Sequence, residues 1–109
     1  MAITNKMSRY NNNKPQLSMV PASLYRATAR ALEYGAAKYA RDDWRQGGDW
    51  TMLLDCLLRH IVDFTEGKDL DEESGLSVVD HIAANVAFLA EFVEKGMGND
   101  NRWKPDSAE

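Results

Sequence analysis

The chain has 109 residues, with 13 Lys and Arg against 17 Asp and Glu, so its formal net charge is −4. One domain fits that length; 44% apolar and 28% charged residues exclude a disordered chain, and a sequence pI near 5.1 argues against a nucleic-acid polymer as partner. No apolar run reaches the ~18 residues of a membrane span, polar Met1–Lys14 lacks the core of a signal peptide, and lone Cys56 excludes an intrachain disulfide or zinc cluster, so the cytoplasm is expected.

Residues 1–20 read as an arm, in which Asn11-Asn12-Asn13 and Lys14-Pro15 are turn chemistry. Leu17, Met19 and Val20 are expected to pin the arm to a core. Pro21 sits where a helix can begin, and alanine-rich 22–40 favours helix. Gly35 inside it costs about 1 kcal/mol relative to alanine, which points to a close approach by a neighbour. Residues 41–50, RDDWRQGGDW, form the first connection, with Asp49 positioned as an N-cap.

In the second predicted helix Leu53, Leu54, Leu57, Leu58, Ile61 and Val62 recur at three- and four-residue spacing as one apolar stripe. Gly67 is its natural stop. The acidic segment KDLDEESG at 68–75 leads to a third helix over about 78–95, where Ser77 and Asp80 have capping-box spacing. That helix is apolar nearly all round, which calls for burial on several faces, and Gly96 and Gly98 end it. Residues 97–109 read as a loose polar tail. The expected fold is all-α: one domain over 1–109, a bundle of three main helices completed by oligomerisation, because a core this small is marginal alone.

His81, Asn85, Phe88 and Phe92 share one stripe of the third helix. Buried polar groups need partners, so His81 and Asn85 either make a core hydrogen bond or face a ligand cavity. On the second helix Asp55, Arg59 and Asp63 form an i, i+4, i+8 ladder, by its spacing a solvated salt-bridge face, flanked by His60. Glu33 is either an ion-pair partner of Arg30 or a metal ligand. Lys38, Tyr39, Trp44 and Arg45 interleave aromatics with cations, which can stack a base and pair with phosphates or can cover the bundle end. The standard phosphate-cradling glycine loops and the nucleophile-elbow signature are absent.

The ordered segments NNKPQLSMVP (12–21), EYGAAKYARDDW (33–44), LLDCLLRHIVDFTEGKDLDEESG (53–75) and HIAANVAFL (81–89) resemble the N-terminal domains of phage dATP/dGTP diphosphohydrolases. These are relatives of the MazG-like all-α nucleotide pyrophosphohydrolases. The resemblance implies a phage protein acting in the host cytoplasm, a bundle completed by dimerisation, and a nucleotide ligand with Mg²⁺ or Mn²⁺. MazG-like enzymes hold metal with E-x-x-E and E-x-x-D pairs. This chain has His60-x-x-Asp63 and Val78-x-x-His81 at the matching positions, so one acid of four remains.

Two functions follow as expectations. The first is a metal-dependent pyrophosphohydrolase releasing monophosphate and pyrophosphate, with Glu33 and Asp63 as metal ligands and catalytic acids. Lys14, Lys38, Tyr39, Trp44, Arg45, Arg59, His60, His81 and Asn85 are its candidate substrate-binding residues. The alternative is a sponge that sequesters a nucleotide or a cyclic-nucleotide immune signal in counter-defence and needs no metal.

Overall fold

The computed structural model describes residues 13–106. Three α-helices account for most of them: α1 (Ala22–Lys38), α2 (Trp50–Thr65) and α3 (Val78–Lys95), with short 3₁₀ turns at Leu17–Met19 and Asp43–Gln46. The described residues contain no strand, only two isolated bridges, Asp49 with Asn99 and Leu70 with Ser77. The fold is all-α. No described helix is long and apolar enough to cross a membrane.

The helix boundaries follow local chemistry. Pro21 stands at the N-cap of α1 in extended conformation, and its carbonyl accepts the Leu24 N–H. Glu66 caps α2, followed by Gly67 at φ +93°. Gly96 closes α3 in the left-handed region, as C-terminal glycines do because they carry no Cβ. At the start of α3 the Ser77 hydroxyl accepts the Val79 N–H. The Asp80 carboxylate does not complete a capping box: it takes a fork of two bonds from Arg30 of α1, 2.8 and 3.0 Å long. Arg30 therefore pairs across helices and not with Glu33.

α3 lies in the middle, with α1 packed on one side and α2 on the other. Ala27 and Ala31, one turn apart on α1, meet α3 through small side chains; Leu57 of α2 and Val78, Ala83, Ala84 and Phe92 of α3 complete the buried apolar set among the described residues. The expected burial of α3 on several faces is only partly met, since Val79, Val86 and Val93 remain exposed along one heptad line. The α2 stripe is split in the same way: Leu57 is buried, whereas Leu58, Ile61 and Val62 face outward.

Two further expectations differ from the structure. Leu17 and Met19 are 69% and 76% exposed, so they do not pin the arm; residues 1–12 of that arm, including Asn11 and Asn12, lie outside the described residues. Residues 97–102, expected to be loose, are tied to the start of α2. Trp50 donates its backbone N–H to the Asn99 carbonyl (3.0 Å) and its indole N–H to the Met97 carbonyl (2.9 Å), and Asn99 N–H returns to Gly48 (2.9 Å). Asp49 is the N-cap of α2 by position, but its carboxylate accepts from the Asn99 amide instead of from the helix. Gly98 makes the latch possible. It sits at φ +76°, and a Cβ there would lie 2.6 Å from the Gly48 carbonyl oxygen.

Candidate functional site

A cleft of about 800 Å³ is lined by α1, the first connection and α3, with Cys56 and His60 of α2 and Asp71 and Glu73 of the acidic connection. Gly35 lies on its wall one turn after Ala31. A Cβ there would meet nothing within 4 Å, so the glycine marks open space and not the close approach its sequence position suggested.

The inner end of the cleft holds a hydrogen-bonded chain. Asp71 accepts both the Ser74 N–H (2.9 Å) and the Ser74 hydroxyl (3.0 Å), and Ser74 Oγ lies 2.7 Å from His81 Nε2. A hydroxyl has one proton, and the carboxylate is its stronger acceptor. Nε2 then carries the proton and donates to Ser74, whose oxygen also accepts the Leu76 N–H at 3.1 Å. So engaged, Ser74 is a support for His81 and not a nucleophile. Burial pushes the Asp71 carboxyl up, but the two bonds from Ser74 and the nearby imidazoles bring it below its ordinary value overall.

The His60 ring of α2 stacks on His81 with centroids 5.0 Å apart and planes 14° from parallel, and Tyr34 meets His81 edge-on at 6.1 Å. His60 Nδ1 is buried with no hydrogen-bond partner among the described residues. Burial first, and the neighbouring His81 second, lower the His60 pKa from its ordinary 6.5; Asp71 and Asp63 pull the other way, and Arg59 adds to the lowering. A lowered folded-state pKa means that the unfolded chain binds more protons, so stability rises with pH. This contribution is whole above pH 6.5 and is lost as pH falls through the lower folded value. The melting temperature of the protein is expected to fall as pH drops from 6.5 toward the lower folded value, and His60→Gln is expected to flatten the slope. An unchanged slope in His60→Gln, read by thermal melts across that range, would contradict the lowered His60 pKa.

The outer part of the cleft combines aromatics with charges of both signs: Lys38, Arg41 and Arg45 line it beside Glu33, Asp42, Asp43 and Glu73. Lys38 bonds Glu73, which also accepts the Tyr34 hydroxyl at 2.7 Å. Lys38 and then Tyr34 hold the Glu73 carboxyl below its ordinary value, and the Glu73 bond raises the Lys38 pKa. Arg45 bonds Glu91 at 2.7 Å and Asp42 at 3.1 Å. Its guanidinium lies 4.3 Å over the Trp44 ring, and Trp44 in turn packs on Phe88 and Phe92 at 4.8 and 6.3 Å. Trp44 is therefore half-buried against its neighbours. Tyr39 is 66% exposed, with Lys38 Nζ 5.2 Å from its ring centre, and is the aromatic available to a ligand.

Of the residues singled out from sequence, the cleft gathers Glu33, Lys38, Tyr39, Trp44, Arg45, His60, His81 and Asn85. Asn85 is buried and donates its amide to the His81 carbonyl one turn back, at 2.8 Å. Arg59 and Asp63 lie elsewhere, in a shallow groove on the outer side of α2 with Asp55, Leu58 and Val62. Glu33 and Asp63 are thus not brought together within one chain. Lys14 is exposed and outside both hollows. From sequence the 69–73 acidic cluster reads as a solvated turn or as substitute metal ligands, and neither Asp71, Glu73 nor Ser74 is singled out within or beside it. All three sit in the acidic connection, whose composition resembles any solvated turn; the order Asp71-x-x-Ser74, an Asx-type turn signal, was the available clue.

Among the described residues no three His, Cys, Asp or Glu side chains converge to hold a metal ion. Asp71 is engaged by Ser74, Glu73 by Lys38 and Tyr34, and Glu91 by Arg45. The described residues of one chain therefore offer no cage of protein ligands for a divalent ion.

Residues 4–102 match the family described as dATP/dGTP diphosphohydrolase, N-terminal. A protein of Salmonella phage PMBT28 named dATP/dGTP diphosphohydrolase is 30% identical over 96 residues, which cover 87% of this chain and 33% of that protein. The chain thus spans about one third of the length of this relative. No solved structure matches. With nearly its whole length inside the family match, the chain belongs to the dATP/dGTP diphosphohydrolase N-terminal family.

Proposed function

We propose that the cleft binds a purine deoxynucleoside triphosphate and that the chain takes part in its hydrolysis to monophosphate and pyrophosphate. The observation that carries this reading is the juxtaposition, in one cleft, of two cations and an exposed tyrosine at the mouth with a stacked imidazole pair inside. Triphosphate oxygens would compete with Glu73 and Glu91 for Lys38 and Arg45, and charge-assisted bonds to phosphate are the stronger class. Tyr39 would offer its face to the base. The substrate class comes from the name of the phage relative, which extends well beyond the matched region.

In the hydrolysis, a water oxygen bonds to the α-phosphorus while the bond to the bridging oxygen breaks, and pyrophosphate leaves. Lys38 and Arg45 would neutralise the charge developing on the phosphate oxygens. With Nε2 committed to Ser74, His81 keeps its Nδ1 lone pair as a proton acceptor. Of the two acids first considered as metal ligands, Glu33 is the one at this cleft. Mg²⁺ commonly binds through one or two carboxylates completed by substrate phosphates, and that chemistry would be supplied with the substrate.

The engaged state of the cleft carboxylates favours a second reading, capture without turnover, in which cations and aromatics alone hold the nucleotide. The two are separated by incubating the protein with dATP or dGTP, with Mg²⁺, Mn²⁺ or EDTA, then denaturing it and resolving the nucleotides by chromatography. Hydrolysis predicts monophosphate with metal and none with chelator. Stoichiometric recovery of intact triphosphate under every condition would overturn hydrolysis and leave capture.

A further inference from the structure

We propose that Arg41 reads the phosphates beyond the first and so sets the preference of the cleft for a triphosphate over a monophosphate. This rests on the reading of the cleft as a nucleotide site, and its test separates the two.

The backbone places Arg41 on a tight turn. The Asp43 N–H returns to the Ala40 carbonyl at 3.2 Å, and Asp42 takes the left-handed region at φ +64°, which aspartate tolerates better than most side chains. The turn follows α1 directly and sets the exposed Arg41 side chain in the cleft lining. The two acids next to it in sequence face other partners: Asp42 accepts from Arg45 at 3.1 Å, and Asp43 from the Gln46 amide at 2.9 Å. Arg41 itself makes no ion pair or side-chain hydrogen bond among the described residues.

The other two cations of the lining are already engaged. Lys38 is held by Glu73, and Arg45 by Glu91 and Asp42. A phosphate that recruits either must displace a carboxylate, so its gain is only the difference between two charge-assisted bonds. A phosphate that recruits Arg41 displaces water alone. The charge balance sharpens the contrast, because three cations face five acids in the lining, a formal charge of −2 with neutral histidines. An anionic ligand is opposed by the lining as a whole, and more so with each phosphate it carries. The unmatched guanidinium, a planar fork of donors suited to phosphate oxygens, answers that opposition.

Contacts within the cleft order the phosphates. His81 meets Ser74, the adjacent Glu73 holds Lys38, and Arg41 lies three residues further, past the end of α1. An α-phosphate at His81 therefore directs the outer phosphates toward the connection that carries Arg41. A monophosphate, ending at the inner groups, has the least use of it.

The test is a calorimetric titration, with Mg²⁺ present, of dAMP and of the α,β-imido analogue of dATP, whose α–β bridge resists hydrolysis. Wild type is expected to favour the triphosphate analogue. Arg41→Gln is expected to weaken the analogue about tenfold, the scale of a lost charge-assisted bond, and dAMP by less than about twofold. Arg41→Lys keeps the charge without the fork and is expected to fall between. Arg26→Gln removes an equal charge from an exposed arginine of α1 outside the cleft lining, and is expected to leave both affinities unchanged. Thermal melts matching wild type, expected for an exposed side chain without partners, show that the Arg41 variants are folded. An unchanged ratio of the two affinities in Arg41→Gln, whether both persist or both fall together, would overturn the proposal. The cleft reading fails by a different result: the analogue would bind with wild-type strength to Gly35→Leu, whose added side chain occupies the cleft, and the proposal would fall with it.

Discussion

Arg30→Met is expected to cost the fold a large part of its stability. The residue it strands is Asp80, 2% exposed, whose two carboxylate oxygens are both taken by the guanidinium. Breaking this pair from one side leaves the desolvated Asp80 carboxylate without a partner, a loss that solvent at the half-exposed Arg30 screens only in part. The N-terminus of α3 offsets some of this, since Asp80 lies in the first turn where the helix dipole favours anions, but that effect is about 0.3–1 kcal/mol. Desolvation therefore wins, against a total stability of ~5–15 kcal/mol for a typical domain. The urea midpoint of Arg30→Met should fall steeply. Arg30→Lys should fall less, keeping the charge but losing the fork. Arg30→Met/Asp80→Leu should recover most of the loss, because no buried charge remains. Equal midpoints for Arg30→Met and wild type would show that the pair does not hold α1 to α3.

How far the sequence disclosed this architecture can be judged residue by residue. The three helices were legible because leucine periodicity, a proline start and glycine stops at 67 and 96 are local signals, decided within one or two turns. The pairing of Arg30 with Asp80 was not legible. The partners are 50 residues apart, and nearer candidates, Glu33 for the arginine and a capping box for the aspartate, satisfied every local rule. The same limit explains Gly35: a helix glycine fits either contact or space, and only the tertiary arrangement, which places it on the wall of a cleft, decides between them. His81 and Asn85 stood out because they interrupt an apolar stripe, and both line the cleft. Asp71 and Ser74 did not stand out, since an acid and a serine in a polar connection gain meaning only when His81 arrives 2.7 Å away. On α2 the phase of the helix separates neighbours: His60 turns into the cleft while Arg59, adjacent in sequence, turns out.

The central claim is that the cleft between α1 and α3 is where nucleotide binds, and Gly35 allows it to be tested apart from folding. Leucine is a better helix former than glycine by nearly 1 kcal/mol, and nothing within 4 Å opposes a Cβ at this position. Gly35→Leu should therefore fold at least as stably as wild type while its side chain projects into the space the ligand needs. Occupying the cleft denies the ligand its contacts, so affinity should fall by about tenfold or more, ~1.4 kcal/mol or above. The measurement is a calorimetric titration of dATP and dGTP, with Mg²⁺ present, into wild type and Gly35→Leu, paired with thermal melts of both proteins. The expected result is weakened or abolished binding with an undiminished melting temperature. Wild-type affinity in a well-folded Gly35→Leu protein would contradict the assignment and move the nucleotide site elsewhere on the molecule.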